Sequence, residues 1–182
     1  MSDLRRELVR KLVHLSGLIY IPAYLYFGRE LVVWGIVLIL LVSAVFEYFR
    51  IKYGLLSGIV RKYEKREIGA YIYFGIAVLL VTLIFPMDAC FVAVSVSLVG
   101  DGLAGIVKRL GFRYAASGVM VVAPLLFIVA LSLATFTPSL MACIAGAAIE
   151  RVERIGGYYL QDNLSVPVVA ATIYEITKYI IT

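Results

Sequence analysis

Four short polar constellations stand out in a chain that is otherwise almost wholly apolar. The first is Glu7-x-x-Arg10-Lys11-x-x-His14, whose members recur at i, i+3, i+4 and i+7, placing an acid, two cations and an imidazole on one helical face. Cations so spaced can meet phosphate oxygens while a carboxylate orients the arginine. The second is Glu47-x-x-Arg50, one helical turn apart and suited to an ion pair where a helix leaves the bilayer. The third, Gly100-Asp101-Gly102-Leu103-Ala104-Gly105, sets a carboxylate among residues small enough to admit another backbone, a metal or a phosphate. Lys108 and Arg109 follow it by about two turns. The fourth contains Glu150, Glu153 and then Asp162-Asn163-Leu-Ser-Val-Pro167, in which Asp162 or Asn163 is suited to cap a helix and both offer oxygen ligands.

The elements that must position these groups follow from composition. The 182 residues are 63% hydrophobic and only 16% charged, which excludes an ordinary water-soluble fold. Seven apolar segments run roughly through 12–27, 31–49, 68–86, 88–107, 118–136, 138–149 and 164–181. Most approach the ~20 residues a spanning helix needs; 138–149 is short and rich in small residues. We therefore expect an all-α, polytopic membrane helix bundle of about seven spans, a single domain over 1–182, with no place for strands. Asp101 falls about 20 Å along its segment from Asp88, and a carboxylate in a span costs about 2.5–3.5 kcal/mol on insertion scales, so it is expected to be functional.

Fifteen of the 17 Lys and Arg fall in alternate connections: Arg5, Arg6, Arg10 and Lys11; Arg50 to Arg66; Lys108, Arg109 and Arg113; Arg151 and Arg154. That asymmetry predicts a cytoplasmic N-terminus and a polar cytoplasmic face, with Lys178 as the one cation out of place beyond the seventh segment. The net charge of +5 is thereby assigned to membrane topology, not nucleic acid. Residues 1–27 have the rival reading of a cleaved signal peptide, but no small-x-small site follows, and Tyr20, Tyr24 and Tyr26 are expected to anchor at an interface. Cys90 and Cys143 lie in apolar runs and predict neither a disulfide nor a metal site. Self-association into a homo-oligomer is left open.

Taken in order, these motifs resemble the CTP-dependent polyprenol kinase family, which includes dolichol kinase and phytol kinase. The matching residues are Glu7-x-x-Arg10-Lys11-x-x-His14, Glu47-x-x-Arg50, Gly100-Asp101-x-x-Ala104 with Arg109 and Gly111, and Glu153 with Asp162-Asn163-Leu-Ser-Val-Pro167; Arg66-Glu67-x-Gly69 is similar but less distinctive. The resemblance implies transfer of the γ-phosphoryl of CTP to an isoprenoid alcohol with Mg²⁺. It implies Asp101 as leading metal or catalytic carboxylate, and Asp162 and Asn163 as completing the metal and phosphate site. Arg10, Lys11, Lys108 or Arg109, with Gly100, would hold the triphosphate, and His14, Glu47 or Glu153 would take the hydroxyl proton. The chain departs from the family pattern at Phe112-Arg-Tyr-Ala-Ala-Ser-Gly118, where a Lys-Ser-x-Glu-Gly element is usual, and at Lys108, where glycine is common. A cytidylyltransferase making a CDP-lipid is the nearest enzymatic alternative, and a non-catalytic membrane scaffold the other. A transporter is disfavoured by the absence of a repeat and by polar groups crowding one face.

Overall fold

The computed structural model describes residues 3–54, 68–152, 154–156 and 158–181. Its elements are α1 (Asp3–Ser16), a 3₁₀ turn (Gly17–Ile19), α2 (Tyr20–Tyr53), α3 (Ala70–Ile84), α4 (Met87–Ser95), a π turn (Val96–Gly100), α5 (Asp101–Arg109), α6 (Arg113–Ala130), α7 (Phe136–Glu150), β1 (Arg154–Ile155), β2 (Tyr158–Tyr159) and α8 (Asp162–Ile181). The fold is helical, as composition predicts. Beside the helices, β1 and β2 form only a two-residue antiparallel ladder, Arg154 opposite Tyr159. Gly156, at φ 59°, supplies the left-handed residue of that tight turn.

Four stretches are long and apolar enough to cross a membrane: Arg10–Tyr53, Met87–Arg109, Arg113–Ala130 and Asp162–Ile181. The first covers both segments 12–27 and 31–49. Their boundary is a kink at Gly28 (φ 76°, ψ 173°), a backbone state that glycine alone adopts cheaply, so the helix changes direction without a loop. α3 and α7 are apolar but have only 15 residues each, about 22 Å of helix. The turn between α3 and α4 is set by Pro86, which holds Phe85 extended and lets α4 start immediately after it.

Met87–Arg109 is the axis of the bundle. Every residue from Ala89 to Gly100 is buried, enclosed by α3, α6, α7 and α8. The buried set includes Phe91, Val94, Leu98, Met120, Ile128 and Tyr174. α7 lies closely on this axis because its face is small: a Cβ on Gly146 would stand 2.5 Å from Val96 Cγ1. α2 has the opposite character. Leu31, Trp34, Leu38, Leu41, Val42 and Val45 are all exposed, an apolar surface of the kind hydrocarbon covers.

Tyr20 and Tyr24 do not anchor at an interface. Both are buried edge-on against Phe91, and Tyr20 Oη bonds Thr82 Oγ1 at 2.8 Å, while Tyr26 remains exposed. Since Thr82 donates its own proton to Val78 O, Tyr20 is the donor of that pair. Cys90 and Cys143 are buried free thiols.

Candidate functional site

α1 lies against α5 because two glycines make room for it. A Cβ on Gly102 would meet Leu15 Cδ2 at 3.2 Å, and one on Gly105 would meet Lys11 Cε at 2.5 Å and Nζ at 2.7 Å. Through that second gap Lys11 reaches Asp101. Its ammonium donates to Asp101 Oδ2 at 2.7 Å and to the Asp101 main-chain oxygen at 2.9 Å, with only 6% of the residue exposed. His14, one turn later on the same face, brings Nε2 to 3.1 Å from Ser97 O and 3.6 Å from Asp101 Oδ2. A carbonyl only accepts, so His14 Nε2 carries a hydrogen and the neutral ring keeps its lone pair on Nδ1. Phe74 packs beside the ring at 5.6 Å between centroids. Two members of the helical face read from the sequence, Lys11 and His14, thus meet at Asp101, about 90 residues away along the chain.

The axis helix is not uniformly wound where this happens. The π turn at Val96–Gly100 ends immediately before Asp101, and single π turns inside α-helices recur at functional sites. The extra residue shifts the phase, so that Ser97 presents its carbonyl to His14 while Gly100 turns towards α6. A Cβ on Gly100 would stand 3.1 Å from Met120 O. That carbonyl is the one whose helical partner Pro124, four residues on, lacks. Gly100 thus serves close helix packing here, in contrast to the phosphate approach its motif suggests.

Asp101 also forms one wall of a small cleft of about 10 Å³, room for about one water, lined by Ser97, Asp101, Glu150, Asp162, Asn163 and Val166. Glu150 ends α7, and Asp162 and Asn163 begin α8. Asp162 Oδ1 accepts from both the backbone N–H and the side-chain amide of Asn163, each at 2.8 Å, which fixes the amide's direction. Pro167 has no N–H to offer Asn163 O four residues earlier, so this carbonyl is left without its helical partner. Ser165, one turn along α8, has a buried hydroxyl with no partner among the described residues. Lys108 and Arg151 act electrostatically on Glu150 from the cleft's edge.

Sequence reasoning overlooked Glu150 as a site residue. Its signal was faint: a carboxylate closing a small-residue apolar run, with α7 brought against α8 only by tertiary packing. Among the described residues no three acids, histidines or cysteines stand close enough to hold a metal ion by themselves. The donor set is nonetheless of the right chemistry for Mg²⁺, which takes one or two carboxylates and completes its shell with water and phosphate. Asp101, Glu150 and Asp162 are the carboxylates that line the cleft.

The other expected residues separate from the cleft. Glu47 and Arg50 form a buried, bidentate pair, both contacts at 2.7 Å, and Glu47 further accepts from the Gly69 N–H at 2.5 Å and from the Tyr71 hydroxyl. That is a clamp tying the end of α2 to the start of α3, and neither residue lines the cleft. Lys108 and Arg109 are exposed in the last turn of α5, and Arg10 is half-buried on α1. Glu153, Arg66, Glu67 and the side chain of Glu7 lie outside the described residues.

At the other end of the axis helix Asp88 accepts from Lys178 at 2.5 Å and from the Tyr174 hydroxyl at 2.9 Å. Lys178, the cation that broke the charge pattern, is thus half of an ion pair. Comparison with protein-family models, with curated proteins and with solved structures found no match to this chain.

Proposed function

We propose that this chain is a multi-pass membrane lipid kinase that transfers the γ-phosphoryl group of CTP to an isoprenoid alcohol of polyprenol, dolichol, phytol or geranylgeraniol type. The observation that carries the reading is the meeting of Asp101, Glu150, Asp162 and Asn163 in one cleft, at the cation-rich end of an apolar bundle. The lysine and arginine pattern favours a cytoplasmic position for that end, where a nucleotide triphosphate is available, with the N-terminus on the same side.

Phosphoryl transfer asks a protein for positioning and charge stabilisation more than for covalent chemistry. Asp101 and Asp162 would hold Mg²⁺, which when bound neutralises phosphate charge. Lys108 and Arg109, exposed in the last turn of α5, would meet the nucleotide's outer oxygens. Asn163, its amide oriented by Asp162, holds the acceptor or a phosphate oxygen. The proton of the attacking hydroxyl would go to a carboxylate, and Glu150 lines the cleft whereas His14 and Glu47 do not. The isoprenoid tail lies among the apolar helices with its hydroxyl at the polar boundary.

Products separate the kinase from a cytidylyltransferase. With CTP labelled at both α and γ positions, Mg²⁺ and a panel of geranylgeraniol, phytol, dolichol and phosphatidate, we expect γ-label in an isoprenoid phosphate and α-label in CDP. Release of pyrophosphate with α-label in the lipid would establish the transferase instead, and no transfer to any acceptor would leave the scaffold.

A further inference from the structure

Lys11 is tied to Asp101 in a way that triphosphate binding alone does not call for. Its ammonium is nine-tenths buried and sits in a cradle that a Cβ on Gly105 would fill. There it holds two oxygens of one residue, the carbonyl and Oδ2 of Asp101, at 2.9 and 2.7 Å. Paired oxygens presented to a compact charge are what a hard cation takes up, and a lysine ammonium is the side chain closest to such an ion.

We propose that Lys11 is a stand-in cation. A divalent ion entering the cleft takes Asp101 Oδ2 over, and the released ammonium turns to the phosphate oxygens that accompany the ion. This rests on the metal-dependent reading above. The exchange follows from charge: an ammonium and a divalent ion on one carboxylate oxygen repel each other, and the lysine is the mobile member. Its four-carbon stem can swing while α1 stays seated, because the helix is also held by Leu15 over Gly102 and by His14 on Ser97. Lys11 thereby holds the Asp101 carboxylate in one direction until an ion arrives, which makes it a positioning residue for that ligand.

Mn²⁺ as the probe tests this on the full chain in detergent, with bound ion counted by electron paramagnetic resonance. Acetic anhydride labelling, read by mass spectrometry, reports the exposure of Lys11 relative to exposed Lys108. Lys11 should be protected without divalent ion, and saturating Mn²⁺ should raise its labelling at least tenfold relative to Lys108. In Asp101→Asn, Lys11 should label rapidly with or without Mn²⁺. If that variant does not fold, Lys11→Met provides the second arm and should bind Mn²⁺ several-fold more tightly than wild type. Bound Mn²⁺ with Lys11 still protected, or unchanged affinity in Lys11→Met, would overturn the exchange and leave the kinase reading standing. Absence of any bound Mn²⁺ would overturn both.

Discussion

Removing Arg50 should be among the most damaging single changes outside the cleft. Glu47 and Arg50 are 4% and 2% exposed, and the guanidinium meets both carboxylate oxygens at 2.7 Å. Arg50→Met deletes the counter-charge but leaves Glu47 buried, with the Gly69 N–H and the Tyr71 hydroxyl still donating to it. Stranding one charge of a buried pair costs about 3–5 kcal/mol. Those two donors already hold Glu47 in the wild type and so offset none of the loss, and we expect about 3–5 kcal/mol. For a chain of this size 1 kcal/mol moves Tm by about 2–4 °C, giving a fall of roughly 6–20 °C in detergent. The double variant Glu47→Leu with Arg50→Met removes both charges and should recover most of the loss, because the desolvation cost disappears with the pair. Thermal unfolding of wild type, both singles and the double completes the cycle. An Arg50→Met Tm within 1 °C of wild type, or a double no better than the single, would refute the reasoning.

Two further changes probe the packing. Gly146→Ala forces Val96 or α7 to move from a 2.5 Å approach and should cost about 1–3 kcal/mol, seen as a lower Tm with no new ligand dependence. Lys178→Met should cost no more than about 1 kcal/mol, since the Asp88–Lys178 pair is partly exposed, and exchanging the charges as Asp88→Lys with Lys178→Asp should restore most of it. A large loss in the first of these two Lys178 variants, unrelieved by the exchange, would show that the pair does more than dock the end of α8.

Much of this arrangement is legible from residue order, for identifiable reasons. Long apolar runs mark the helices, and the near-one-turn spacing of Lys11 and His14 puts them on one face, where both meet Asp101. Gly28-Arg29-Glu30 marks a break between segments, although not that it is a kink within one helix. What stays hidden is what depends on tertiary phase and pairing. A π turn at Val96–Gly100 has no periodic signature, so the roles of Gly100 and of Ser97 change once the helix slips by a residue. Glu150 joins the cleft only because α7's small face seats it against α8. Tyr20 and Tyr24 read as interface residues by type, yet each buries its ring against Phe91. Lys178 looks misplaced until Asp88, 90 residues away, supplies its partner.

The central claim is that the cleft at Asp101 phosphorylates an alcohol, and one measurement addresses it most directly. Purified wild type and Asp101→Asn, matched in Tm and helicity, are given γ-labelled CTP, Mg²⁺ and geranylgeraniol, and label in the lipid phase is followed with time. The account predicts steady transfer by wild type and a loss of at least about 100-fold in Asp101→Asn, the scale set by removing a group that stabilises transition-state charge. Undiminished transfer by the variant would contradict the assignment of the site, and no transfer by the wild type would contradict the assignment of the function.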